Sequence, residues 1–377
     1  MKRLFDNPAV RASAVAWWRK LDDDRGARAR LRRVQDLCVL LREPTSPGER
    51  MARRSVFALK DALNEAVAEQ GKKVCLKRLA PVAALLAHVR SDVPDEQSIA
   101  LLFAGGSDGR TPLTERRFQR LLHCQDYQAL HDELRRALQQ LGRHAPVGAL
   151  ACDIYHWNDR VRGEWARIYY KTILTAEYDP AESVERFGQA ARAWWQTLED
   201  HPGERAALAR CHKLEDALLL KGYHRLWQYA ARFIEDEQKE MRRPRLALVA
   251  IALAHVREDL HSFDKEGKYR PITLAELAAS SKKHVRALRE GREVNPHSEA
   301  RVSDLRFRRL LQADTHSDLY RPLLRVIHQV GREAVDVGQL ADDLFYWGEQ
   351  RRRRWADQYY HIALRPLADA EEDEAAD

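Results

Sequence analysis

The chain has 377 residues, with 64 Lys and Arg against 57 Asp and Glu, a formal charge of +7. Mean hydropathy is −0.59, and no stretch approaches the run of about 18 apolar residues that a membrane-spanning helix needs, so no such helix is expected. The five cysteines (Cys38, Cys75, Cys124, Cys152 and Cys211) are scattered and form no CxxC pair, which argues against a disulfide framework or a zinc ribbon and fits a reducing cytoplasm.

The charge is unevenly placed. Residues 1–180 carry 31 basic and 23 acidic groups, and residues 181–368 carry 33 and 28. The last nine residues, 369–377, hold six acids and no base. A basic body behind an acidic tail suits an anionic partner. At the other end, Lys2, Arg3, Asp6, Arg11 and Arg19 interrupt the first 20 residues, so these do not read as a secretory signal.

In chain order, the segments occur twice. Trp17-Trp18 and Leu21, then Gly26, Arg28, Ala29, Leu31 and Arg33, recur as Trp194-Trp195 and Leu198, then Gly203, Arg205, Ala206, Leu208 and Arg210. Ala87-His88-Val89-Arg90 recurs as Ala254-His255-Val256-Arg257. Arg117-Phe118 with Arg120-Leu121-Leu122 recurs as Arg306-Phe307 with Arg309-Leu310-Leu311. Val147-Gly148 through Tyr169-Tyr170 recurs as Val337-Gly338 through Tyr359-Tyr360. Four blocks in one order imply a tandem duplication of a domain-sized unit, far longer than a solenoid repeat. The expected layout is a first unit over 1–176, a second over 177–368 and the tail over 369–377. The boundary is set near Thr175–Glu185, where Asp179-Pro180 breaks the helical pattern. The copies lose register in an insert over 258–302, longer than its counterpart in the first unit.

The pattern within each unit is helical. Leu150, Ile154, Trp157, Val161, Trp165 and Ile168 form one apolar stripe, as do Leu340, Leu344, Trp347, Trp355 and Tyr359, which predicts one long helix in each block. Thr114 and Ser303 sit where an N-cap belongs, each followed by an acid. Another apolar helix is expected over Arg245–Arg257. No alternating strand of five or more residues stands out, so the predicted class is all-α, two tandem homologous helical bundles.

Catalytic patterns are lacking. There is no HExxH, no GxSxG and no phosphate loop, and the glycine-rich Phe103–Gly109 has no Lys-Ser/Thr after it. His88 and His255 match between copies but read as packed histidines on apolar helices. Asp22-Asp23-Asp24 reads as a solvated turn. No catalytic residue, metal or cofactor is expected.

Arginine on helices is the recurring chemistry. Arg117 and Arg120 match Arg306 and Arg309, with Arg116 and Arg308 beside them, and the Phe and Leu-Leu positions anchor the opposite face. A guanidinium face on an anchored helix suits phosphate, because the fork is rigid and always charged. Arg117, Arg120, Arg306, Arg308 and Arg309 are the first candidates for contact with nucleic acid. Arg28, Arg32, Arg33, Arg78, Arg205, Arg210 and Arg245 follow, with further clusters at Lys72-Lys73 and Lys282-Lys283-Arg286-Arg289. For any single arginine the competing reading is a solvated face paired with acids one turn away. Arg351–Arg354 fit that reading better, since four consecutive residues cover every side of a helix. Trp17-Trp18 and Trp194-Trp195 suit base stacking by chemistry, but are read as core. Adjacent helical positions diverge by about 100°, so one of each pair must turn inward.

The ordered set Trp-Trp-x-x-Leu, Ser-x-x-Arg-Phe-x-Arg-Leu-Leu and Leu-Ala-x-Asp-Leu-x-x-Trp-Gly…Arg-x-x-Trp-Ala-x-x-Tyr-Tyr resembles the CasB family. It occurs over Trp194–Arg210, Ser303–Leu311 and Leu340–Tyr360, and in weaker form in the first copy. CasB is the small subunit of Cascade, the type I-E CRISPR surveillance complex of antiviral defence. The resemblance implies a small all-α protein without catalytic activity. It implies as partners the other Cascade subunits, guide RNA and target DNA, both the target strand and the displaced strand of the R-loop. A typical member is one unit, so this chain is expected to stand for a fused pair. The competing class is a protein-interaction scaffold whose basic faces dock acidic partner subunits, with little nucleic-acid contact.

Overall fold

A computed structural model describes residues 4–68, 73–94, 98–105, 111–174, 186–234, 239–260, 270–281, 300–331 and 335–363. The expected boundary near Thr175–Glu185, Lys72, the Lys282–Arg289 cluster, Gly106–Gly109 and the acidic tail lie outside these residues. The chain divides into two compact units, Met1–Glu177 and Tyr178–Asp377. Regular structure among the described residues is almost entirely helical.

The first unit runs α1 (Pro8–Asp23), α2 (Arg25–Arg32), α3 (Pro47–Ala66), α4 (Leu76–Leu86), α5 (Ile99–Ala104), α6 (Glu115–Leu122), α7 (Tyr127–Gln140), α8 (Val147–Tyr155) and α9 (Asp159–Leu174). Asn7 caps α1, Asp24 caps α2 and Asp126 caps α7, each by accepting a backbone N–H from the first turn. The centre is α4, where every residue from Leu79 to Leu86 is buried, as an all-apolar helix requires. It packs on α3, α7 and α8, while α1 packs on α3 and α8 and α5 on α9. Two short parallel strands, Ser91–Asp92 and His144–Ala145, tie the segment after α4 to the segment after α7.

The second unit runs α10 (Phe187–Asp200), α11 (Pro202–Ala209), α12 (Leu214–Ala217), α13 (Lys221–Ala230), α14 (Lys239–Ala254), α15 (Leu274–Ala279), α16 (Asp304–Leu311), α17 (His316–Val330), α18 (Val337–Phe345) and α19 (Glu349–Ala363). Its central helix is α14, sealed from Leu246 to Ala254. At the crossing of α10 and α18 two glycines meet, and a Cβ on Gly188 would stand 2.3 Å from the Gly338 carbonyl oxygen. The Gly188 N–H donates to Asp342 at 2.7 Å. One turn on, Arg192 bridges Asp336 at 2.6 Å and Asp259 at 2.7 Å.

The two units repeat their internal bonding. Trp18 donates its indole N–H to the Val89 carbonyl at 3.2 Å, and Trp195 donates to Val256 at 3.2 Å. Tyr169 donates to the Leu113 carbonyl at 2.7 Å and Tyr359 to Val302 at 2.5 Å. Asp92 accepts the Val147 N–H, and Asp259 the Val337 N–H, each at 2.9 Å.

Several expectations need correction. The last block is two helices in each unit, α8–α9 and α18–α19, rather than one. Asn158 caps the start of α9 by accepting the Val161 N–H at 3.1 Å, and Gly348 stands at the same break in the second. The three-residue link is near one helical turn, so the apolar stripe keeps phase across the break and hides it. Helix α14 ends at Ala254 and α4 at Leu86, so His255 and His88 lie just past helix ends. Thr114 and Ser303 occupy the N-cap positions of α6 and α16, but neither hydroxyl makes the capping bond. The tryptophan pairs are core as read, and both members of each pair are buried. Partners lie on two sides of the helix: Trp17 bonds to Ser55 on α3, and Trp194 to Gly222 on α13.

Candidate nucleic-acid interface

Helices α6 and α16 are amphipathic for a simple reason. Phe118, Leu121 and Leu122 are buried on α6, as Phe307 and Leu310 are on α16. Phe118 stacks on Tyr169 at 3.8 Å and Phe307 on Tyr359 at 4.0 Å, both near parallel. These stacks fix how each helix is rolled, so the remaining positions face solvent. Arg116, Arg117 and Arg120 are exposed on α6, and Arg306, Arg308 and Arg309 on α16.

The six differ in how they are held. Arg117, Arg120 and Arg309 have no ion pair among the described residues. Arg306 donates to the Gln329 side chain at 2.8 Å. Arg308 pairs with Asp304 at 2.9 Å and donates to the Tyr360 hydroxyl at 3.3 Å. Those contacts lift its guanidinium pKa further above the usual value, Tyr360 first and Asp304 next. An open hollow of about 700 Å³ beside α6 is lined by Arg116, Gln119, Arg120, His123, Asp126 and Glu133. A second, of about 510 Å³, is lined by Arg117, Arg120, Glu133 and Arg136. Arg120 serves both.

The other candidates fall into two groups. Arg33, Arg78 and Arg210 are exposed. Arg28 lies over the Trp18 ring at 5.4 Å and Arg205 over Trp195 at 5.2 Å, a matched cation–π pair. Burial lowers the Arg205 guanidinium, and Arg257 adds to that. Arg245 donates to the Phe345 carbonyl at 3.3 Å and is likewise lowered by burial. Arg78 lies 6.0 Å from the Tyr155 ring. Arg32 is half-buried with its pKa lowered, by burial first and then by Arg143, Arg90 and Arg28.

Sequence reasoning missed Arg143, which sits in the left-handed region at φ 69°. No single-residue signal marks it, since it belongs to no repeated cluster. It also missed Arg136, which pairs with Glu133 at 2.7 Å and so matches the solvated-face pattern. Arg351, Arg352 and Arg353 do pair with acids, Asp343, Asp314 and Glu349.

A family model for the CRISPR-associated protein Cse2 matches residues 27–170 and matches again over 204–360. The chain belongs to the Cse2 family. The double match accords with two fused copies of the unit, and the family is the one resembled in sequence as CasB. Both matched segments begin after the tryptophan pairs and include α6 and α16. Cse2 proteins are structural small subunits of type I-E Cascade, associated with its other subunits. No curated protein and no solved structure matches the chain. No described helix is long and apolar enough to cross a membrane.

Proposed function

We propose that this Cse2 chain is a non-catalytic fused pair, units 1–176 and 177–368, that steadies the Cascade R-loop through its arginine faces. Pairing with guide RNA reads the sequence, while protein contacts to phosphate tip a nearly balanced strand exchange. The observation that carries this reading is the pair of anchored helices α6 and α16. They present Arg117, Arg120 and Arg309 to solvent, none of them in an ion pair among the described residues. Such groups bind backbone of the target and displaced strands without base preference. Fusion keeps the two halves at a one-to-one ratio and makes docking of the second intramolecular. Residues 369–377 are then an acidic tail following a basic body.

The test is a mobility shift of labelled single-stranded DNA by the purified chain, from 50 to 200 mM salt, beside a triple neutralisation of Arg306, Arg308 and Arg309. Binding should weaken steeply with salt, and the triple variant should lose affinity in the assembled complex without dissociating it. Unchanged DNA binding by the variant complex overturns the assignment. An absence of binding even at low salt favours a scaffold that docks acidic subunits.

A further inference from the structure

His88 is 5 % exposed, and neither ring nitrogen has a hydrogen-bond partner among the described residues. His131 is fully buried. Its Nδ1 lies 3.3 Å from Asp132, while its Nε2 is unpartnered. Arg135 Nε and Arg143 Nη1 are also buried and unpartnered. A buried polar atom left without a partner costs about 1–3 kcal/mol, so four such groups in one place need a reason.

The fold brings separate pieces of chain together: α2 and α7 both pack on α4, and the Arg90 N–H just after α4 donates to the Arg143 carbonyl at 2.8 Å. The charges acting on His88 come from Arg32, His131, Arg135 and Arg143. Those acting on Arg32 come from Arg143, Arg90 and Arg28. The carboxylate beside the group is Asp132, 3.3 Å from His131 Nδ1. The basic groups come from four separate pieces of chain: α2, the segment after α4, α7 and the turn at Arg143. That turn is built to hold its shape. The Arg143 N–H donates to Leu138 at 2.8 Å, and its carbonyl accepts from the Arg90 N–H at 2.8 Å. A bulky residue in the left-handed region is strained, and strain of this kind gathers at functional sites.

We propose that Arg32, His88, His131, Arg135 and Arg143 form an oxyanion pocket in the first unit that takes one phosphate group. Guanidinium forks match a tetrahedral oxyanion, and a neutral imidazole offers one N–H donor. The pocket uses none of the α6 or α16 arginines, so it does not rest on the strand-holding role proposed above. It belongs to the first unit. In the register of the second, Arg32 is replaced by Ala209, His131 by Tyr320 and Arg135 by Leu324. His255, which matches His88, instead faces His328 at 3.3 Å.

The experiment is an NMR titration of the full-length chain with labelled histidine, the His88 signal being identified by its loss in His88→Asn. One arm adds inorganic phosphate. The other adds a short oligonucleotide lacking terminal phosphates. Sodium chloride at matched ionic strength is the control. A saturable shift of His88 and His131 with either probe is expected, at least about tenfold weaker in Arg32→Gln and Arg143→Gly. Glycine suits φ 69°, so Arg143→Gly removes the guanidinium while keeping the turn. A response to phosphate alone assigns the pocket to free or terminal phosphate, and a response to the oligonucleotide assigns it to a phosphodiester. The proposal is overturned if neither probe moves His88, if chloride moves it equally, or if Arg143→Gly responds as the wild type does.

Discussion

Trp355 donates its indole N–H to a carboxylate oxygen of Asp343 at 2.8 Å, and both side chains are sealed from solvent. Burial raises the Asp343 pKa, while the Trp355 bond and Arg351 act against that rise. The first unit repeats the bond from Trp165 to Asp153 at 2.8 Å, but Asp153 is only half-buried. Losing a donor to a buried carboxylate costs about 1–3 kcal/mol, and water softens the loss where it has access. Trp355→Phe should therefore destabilise its unit more than Trp165→Phe destabilises the first. Denaturant unfolding of the two variants checks this, and equal destabilisation would refute the role given to burial.

Gly188 has no room for a side chain. A Cβ there meets the Gly338 carbonyl at 2.3 Å and the Asp342 carboxylate at 2.7 Å, and the first of these is backbone and cannot swing away. Gly188→Ala should cost about 1–3 kcal/mol as α10 is forced off α18. Gly163, inside α9, has nothing within 4 Å of its virtual Cβ. Gly163→Ala should instead gain about 0.5–1 kcal/mol. Thermal unfolding of the two variants should move in opposite directions.

Helices and duplication were legible because both are written in spacing. Phe118 and Phe307 keep one register with Leu121 and Leu310, and the structure buries all four. The break at Asn158 was not legible, since Trp157 and Val161 stay in phase across it. The two-sided burial of Trp17 and Trp18 depends on α3 and the segment after α4, a long-range packing that no local period contains. On the arginine faces, exposure followed from the pattern, whereas individual restraint did not. Arg308 is held by Tyr360, 52 residues away, and Arg143 meets the field of Arg32 only through the fold.

His88 makes the first unit sensitive to acid. Burial, reinforced by Arg32, His131, Arg135 and Arg143, lowers its pKa to about 4 from an ordinary 6.5. The unfolded chain therefore binds this proton between pH 6.5 and 4 while the folded chain resists it. Stability accordingly falls as pH drops through that window, by up to about 3 kcal/mol at its foot. His88→Gln, which carries no titrating group, should flatten the slope of stability against pH over that range. Added phosphate should flatten it also, because an anion in the pocket favours the protonated ring. A slope that His88→Gln leaves intact would assign the acid sensitivity elsewhere.

Arg308 and Arg309 are neighbours on α16 with different freedom. Arg308 already commits its fork to Asp304 and Tyr360, and binding phosphate there means breaking or sharing the Asp304 pair. Arg309 is exposed with no ion pair among the described residues, so its approach to phosphate breaks no salt link. Neutralising one phosphate-binding arginine should reduce the slope of log affinity against log salt by about one, and by less where an acid already shares the guanidinium. Arg309→Gln should thus lower DNA affinity and salt slope more than Arg308→Gln. Asp304→Asn should do the reverse, freeing Arg308 and strengthening binding at low salt. The contrast separates charge available to a strand from charge already neutralised, because the three variants change formal charge by one unit each. If Arg308→Gln and Arg309→Gln weaken binding equally and Asp304→Asn strengthens it by the same step, net charge alone governs binding and the arrangement on α16 does not.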